Sequence, residues 1–215
     1  MNLRELVRYR RTAIKTWRLV AQEYGWRQSF IEGRAVASQG RPIPWYTYPA
    51  IEFLRSLDLH GCRVFEFGCG NSSIFWAERV REVFSVEHDI DWARAVRAYG
   101  IPNLILFDEV DIDRYVTAPE RAGGAFNIVV IDGRHRRACV PASVRVVADT
   151  GMIILDNADW YPEACADLRS LGWFQIDFSG LGPINPYCWT TSIFMKCSAD
   201  FARSSSVQPI GGISQ

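Results

Sequence analysis

Apolar residues recur at spacings of three and four near the start of the chain: Leu3, Leu6, Val7, Ile14, Trp17, Val20, Ala21 and Tyr24, with arginines between them. This period predicts a helix over 3–31, with Trp17 anchoring its packed face and the arginines turned outward. Pro42, Pro44 and Pro49 then fall within eight residues, a density that regular structure does not tolerate. A short helix at about 49–57 follows, with Ile51, Leu54 and Leu57 on one face.

From Arg63 the pattern alternates between strand and helix. Strands read at 63–67, 83–86, 104–107, 127–131 and 152–155, separated by helical stretches at 71–79, 91–99, 111–116 and 137–148, with another at 160–171. The run Asn127–Ile131 is almost wholly apolar, as in a strand covered on both faces. Such alternation predicts an α/β domain with a doubly wound, mainly parallel sheet and right-handed crossovers. Two last strands, 174–178 and 192–196, are joined by a Gly/Pro loop without a helix, which predicts an antiparallel hairpin. The domain plan is therefore a helical extension with a Pro/aromatic lid segment (1–48), a core (49–197) and a flexible tail (198–215).

Composition narrows the class. The 215 residues are 48% hydrophobic and 22% charged, which excludes collagen-like and disordered chains. Net charge is zero, yet residues 1–41 hold nine Arg/Lys and three acids, so the basic end stands at +6 and the rest at −6. That asymmetry suits a solvated helix face, an acidic partner or a membrane surface, and leaves the oligomeric state open. The neutral total argues against a nucleic-acid partner. Six cysteines show no CxxC and no zinc-site spacing with histidine, so buried reduced thiols in a soluble cytoplasmic protein are expected. No apolar run approaches the ~20 residues of a membrane span, and no signal-peptide core is present.

In such a sheet ligands bind beyond the carboxyl ends of the strands. Each of the first five strands ends in acids here: Glu66 before Gly68-Cys-Gly70-Asn71-Ser72-Ser73, then Glu87-His88-Asp89, Asp108-Glu109, Asp132-Gly133 and Asp156-Asn157. One such acid is commonplace at a helix start; five in register describe a cleft. Ser73 stands where a dinucleotide fingerprint needs its third glycine, and Glu66 opposes a pyrophosphate. Glu66 instead favours a ligand with positive charge, such as the ammonium and sulfonium of S-adenosylmethionine. Gly68 and Gly70 allow close backbone approach, and the amides of 71–73 can take a carboxylate. Glu87, 19 residues after Gly68, can accept two ribose hydroxyls.

The runs FEFGCGNSS, VEHD, VVIDG and IILDNADWY resemble those of class I S-adenosylmethionine-dependent methyltransferases over roughly residues 45–197. The resemblance implies a seven-stranded sheet with one antiparallel strand and S-adenosylmethionine as methyl donor. It assigns Glu66, Gly68, Gly70, Asn71 and Ser72 to the methionine-binding loop, Glu87 to the ribose, and His88, Asp108 and Asp132 to the remaining cofactor contacts. A narrower resemblance, to metal-dependent O-methyltransferases of the catechol type, implies Mg²⁺ on Asp132, Asp156 and Asn157. The loop after Asp132, Gly-Arg-His-Arg-Arg, is more basic than that family's, which suits an acidic or sugar-like acceptor.

The catalytic candidates are Asp132 and His135, the latter either a general base or a surface histidine. Arg134, Arg136 and Arg137 are either substrate-binding or surface charges. Trp45, Tyr46 and Tyr48 are either a lid or anchors of the extension, and Trp160 and Tyr161 are candidate acceptor-pocket walls. His60 reads as structural. The expected function is methyl transfer to an oxygen of a small molecule or saccharide. A non-catalytic cofactor-binding protein of the same fold and a nucleotide-dependent oxidoreductase are the rivals.

Overall fold

The structure is a computed structural model that describes residues 2–204 and 209–212. Strands β1 (Arg63–Phe67), β2 (Glu82–Glu87), β3 (Leu104–Asp108), β4 (Phe126–Ile131) and β5 (Val147–Leu155) run parallel. Strands β6 (Phe174–Gly180) and β7 (Trp189–Met195) form the antiparallel hairpin, β7 against β5. Among the described residues the seven make one sheet in the order β3-β2-β1-β4-β5-β7-β6, the mainly parallel sheet with a closing hairpin that the pattern predicts.

Helices α1 (Leu3–Arg18), α2 (Trp26–Glu32) and α3 (Tyr48–Arg55) precede the sheet. Helices α4 (Asn71–Ala77), α5 (Ile90–Arg97), α6 (Ile112–Val116), α7 (Ala118–Arg121), α8 (Arg136–Val146) and α9 (Pro162–Ser170) lie between strands. Strand periodicity sends Phe65, Phe67, Val129 and Ile131 to the face covered by Cys139 and Val140 of α8 and by Leu168 of α9. Val64, Ile128, Val130 and Ile154 face the other way, onto Leu54 of α3 and Phe75 and Trp76 of α4. Each such side chain buried in full contributes about 1.5–3 kcal/mol.

The amino end departs from its pattern. The helix expected over 3–31 ends at Arg18, loosens into a π turn at Leu19–Glu23 and breaks at Gly25. Gly25 sits at φ +80°, and a Cβ on it would overlap the Ala37 backbone, so the chain must turn here on a glycine. Helix α1 buries none of its residues; Trp17, expected as its core anchor, is 58% exposed. Packing begins further on. Ser29 bridges to Val36 in both directions, and the Trp26 indole donates to the Asn185 carbonyl at 3.0 Å.

The Pro/aromatic segment is pinned across the hairpin. The Thr47 hydroxyl donates to the Phe178 carbonyl at 2.7 Å, and its amide donates to Thr191 Oγ1 at 3.0 Å. Tyr46 and Tyr48 are thereby buried.

The tail, read as flexible, instead turns back on the core. The Asp58 amide donates to the Ala202 carbonyl, the Ser204 amide to the Ser56 carbonyl, and Phe201 packs on the α3 side of the sheet. A strand-like bridge pairs Leu57 with Arg203. Serine content hid this, because the anchors are backbone groups and one phenyl ring. Residues 205–208 and 213–215 of that tail lie outside the described residues. Cys188 and Cys197 are exposed rather than buried, while Cys139 and Cys165 are buried as expected. No helix among the described residues is long and apolar enough to cross a membrane.

Candidate functional site

β1 ends where strand order reverses, with β2 on one side and β4 on the other, so the loops beyond it part and leave a crevice. Gly68, at φ +95°, turns the chain so closely that a Cβ would stand 3.3 Å from Gly133 Cα in the loop after β4. Period two places Glu66 opposite Phe65 and Phe67, where it is 1% exposed. Its Oε2 accepts from Ser73 Oγ at 2.5 Å and Ser85 Oγ at 3.2 Å, while Oε1 is left without a partner. Burial pushes its pKa up to about 7 against the pull of the serines.

Glu87 ends β2 held by backbone amides. Its Oε1 accepts from His88 and Asp89 at 2.8 and 3.0 Å, and its Oε2 from Cys69 at 3.1 Å. Glu66, Gly68, Ser72, Glu87, His88 and Asp132 line one cavity of about 240 Å³. His88 keeps Nδ1 2.7 Å from Glu87 Oε1, and its ring meets Tyr115 edge-on at 6.4 Å. Gly70 and Asn71 line an adjoining cavity instead, and the Asn71 amide donates to the Ala35 carbonyl at 2.7 Å, which ties the amino-terminal arm to the glycine loop.

On the other side of the crevice, the pairing of Ile131 with Leu155 sets Asp132 beside Asp156. Asp156 is 2% exposed; its Oδ1 accepts from Thr191 Oγ1 at 2.6 Å and from the Trp189 indole at 3.1 Å, both on β7. Arg136 opens α8 one helical turn after Asp132. Its Nη2 lies 3.0 Å from Asp132 Oδ1 and its Nη1 3.9 Å from Asp156 Oδ2. It also donates to the carbonyls of Gly133, Asp132 and Asp156. Burial raises the pKa of both aspartates; Glu66 and Glu87 add to the rise at Asp132, and Asp132 adds to it at Asp156, against the opposing charge of Arg136.

A second cavity, about 470 Å³, opens beside this pair, walled by Trp45, Trp160, Tyr187 and Trp189 with Asn157 at its edge. The adjoining third, about 360 Å³, lies among residues 33–35, the start of α4 and the Trp92 and Tyr99 rings. Asp132 lines all three.

The donor set does not suit Mg²⁺. The Arg136 guanidinium already bridges Asp132 and Asp156, and Asp156 Oδ1 is committed to two side-chain donors. A dication there would meet a like charge. Among the described residues no group of three or more His, Cys, Asp or Glu is placed to hold a metal. The cleft does suit a cationic organic ligand. Glu66, Glu87, Asp132 and Asp156 line its cavities against half-buried Arg136 and exposed Arg134, and a buried carboxylate oxygen of Glu66 lacks a donor.

Two expected residues stand apart. Asp108, at the end of β3, is partly exposed and pairs with Arg97, which holds its pKa below the usual range. His135 caps α8 in a left-handed conformation (φ +55°), exposed, its ring 6.5 Å from Tyr115. It lines none of the three cavities. The helix starts one residue later, so Arg136 turns into the site in its place. Trp189, Thr191 and Tyr187 carried no motif; the signal available was an aromatic and hydroxyl cluster after the Gly/Pro loop.

No family model matches the chain, and no curated protein matches it. Solved structures do. A precorrin-6y C5,15-methyltransferase from Geobacter metallireducens superposes with a TM-score of 0.55 at 15% identity, over 69% of this chain and 87% of that one. An rRNA methylase from Streptococcus thermophilus gives 0.50 at 14%, over 69% and 96%. A Streptococcus mutans methyltransferase in complex with SAH gives 0.50 at 12%, over 66% and 93%. The chain thus has the mixed seven-stranded fold of the class I S-adenosylmethionine-dependent methyltransferases.

Proposed function

We propose that the protein is an S-adenosylmethionine-dependent methyltransferase whose acceptor is a hydroxyl of a small molecule or saccharide. The observation that carries the reading is the position of Asp132, where the glycine-loop cavity and the aromatic-walled cavity meet. The bound cofactor supplies an electrophilic methyl group on a sulfonium.

The rest is the work of the chain. Glu66 offers its unpartnered Oε1 to the ammonium, and Glu87 offers its remaining lone pairs to the ribose hydroxyls. Trp45, Trp160, Tyr187 and Trp189 form flat apolar walls, which suit a ring face, and orient the acceptor. Asp132, made more basic by burial, takes the proton from the acceptor hydroxyl, and Arg136 stabilises Asp132 while it is charged.

Calorimetry tests the cofactor: S-adenosylmethionine and its demethylated product should bind at roughly micromolar Kd, with NAD far weaker. Tighter binding of NAD would return the oxidoreductase reading. Glu87→Ala should cost about 1.5–3 kcal/mol per lost ribose hydrogen bond. Methyl-labelled cofactor incubated with cell extract, followed by mass identification of labelled products, then finds the acceptor.

A further inference from the structure

Among the described residues, nothing buries any part of helix α1. Arg4, Arg8, Arg11, Lys15 and Arg18 follow one another at steps of three and four, a single basic flank about 21 Å long. Leu3, Leu6, Val7, Ile14 and Trp17 run along the neighbouring face, and Leu3, Ile14 and Trp17 are 76%, 53% and 58% exposed. Arg10 interrupts this stripe, with a stem long enough to carry its charge to the edge. Arginines elsewhere, such as Arg63, Arg97, Arg114 and Arg137, pair with carboxylates. Among the described residues the cations of α1 pair with none.

The apolar stripe continues past the bend. Trp17 meets Trp26 edge-on at 5.8 Å, and Trp26 stacks on Phe30 at 5.6 Å, with Phe30 and Ile31 exposed in turn. Cations beside exposed Trp, Leu and Ile form the pattern of a helix lying in the headgroup layer, where the ring and aliphatic groups enter the acyl boundary and the cations meet phosphates. We propose that α1, continued by Trp26 and Phe30, docks the protein on an anionic lipid bilayer surface. A second copy of the chain is the poorer fit, since two such helices would bring their basic flanks together. The docking does not depend on methyl transfer. It does place lipid near the acceptor cavity, because Trp26 is bonded to Asn185 in that cavity's wall.

Flotation of the 215-residue protein with phosphatidylcholine vesicles, with and without a third of phosphatidylglycerol, tests this. Binding should require the anionic lipid and fall steeply with added salt. The triple variant Arg4→Ala/Arg8→Ala/Arg11→Ala should weaken it on the order of a hundredfold. Ile14→Asp should weaken it too and leave the melting curve unchanged, because α1 buries nothing. Equal binding to neutral vesicles, or none to anionic ones, overturns the proposal. So does a dimer by light scattering that Ile14→Asp dissolves, or RNA binding that competes with vesicles and ignores Ile14→Asp.

Discussion

The two ends of the cleft hold their carboxylates by opposite means. At the glycine-loop end, Glu66 and Glu87 rest on serine hydroxyls and backbone amides, all neutral donors. At the aromatic end, Asp132 and Asp156 share the guanidinium of Arg136. Neutral donors stabilise an anion without cancelling its charge, so that end still attracts a cation. A guanidinium balances the charge locally, so the other end is left to exchange a proton with a neutral acceptor. Binding and chemistry are thus separated by the kind of donor, over neighbouring strands of one sheet.

The sharpest way to break this division is Asp132→Asn. It should lower methyl transfer by about 10²–10⁴-fold, measured with labelled cofactor, while binding of the demethylated product changes little. A loss confined to affinity would move Asp132 to the binding end. Arg136→Met comes next: stranding two buried carboxylates should cost about 3–5 kcal/mol in denaturant unfolding. Adding Asp156→Ala should recover part of that, since the pair is then no longer stranded.

The glycine-loop end has a pH signature. Glu66 binds its proton more tightly in the folded chain, at about 7 against an ordinary value of 4.5. Its contribution is therefore complete below the ordinary value and is lost as pH rises through 7, which costs on the order of 3 kcal/mol. Ligand-free protein should melt earlier at pH 8 than at pH 5, and Glu66→Gln should flatten the slope. The raised aspartates act in the same direction, so a residual slope belongs to them. The smallest effect is expected at Asp108→Asn. Breaking its exposed pair with Arg97 should cost below about 1 kcal/mol and leave cofactor affinity alone.

The glycine-loop end was legible in the sequence because its parts are close in the chain. Glu66, Gly68, Ser72 and Glu87 come from one strand–loop–helix–strand run, and strand period alone brings them together. The sheet was legible for the same reason: apolar strands and amphipathic helices alternate, which gives its parallel class, while the strand order is set by packing and is not in the alternation. The aromatic end was legible only in part: Trp45, Asp132, Arg136, Asp156, Asn157 and Trp160 were candidates and line its cavity, but their meeting with Tyr187 and Trp189 was not foreseen. Its residues lie on the arm before the sheet, on the first turn of α8 and on β7, and Trp189 and Thr191 reach Asp156 from 33 and 35 residues away. His135 and Arg136 are adjacent in sequence; the left-handed turn at 135, invisible to periodicity, decides which of them enters. The helical period over 3–31 was read correctly as amphipathic, but its stripe does not pack on the core of this chain, because an apolar stripe does not specify what covers it.

That bare helix leaves a trace in exchange of its backbone protons. α1 carries its own end stabilisation, with Asn2 Oδ1 accepting from the Glu5 amide at 2.9 Å and Glu5 Oε2 accepting from the Asn2 amide at 2.8 Å. A helix of this length standing alone is marginal in water, so its amides open at little cost. Those of β4 and β5, enclosed on both faces, open only when the whole domain unfolds. Deuterium should therefore label residues 3–18 almost at once and the central strands last. Whatever settles on the helix becomes visible as slowed labelling there, with the rest of the molecule serving as an internal clock.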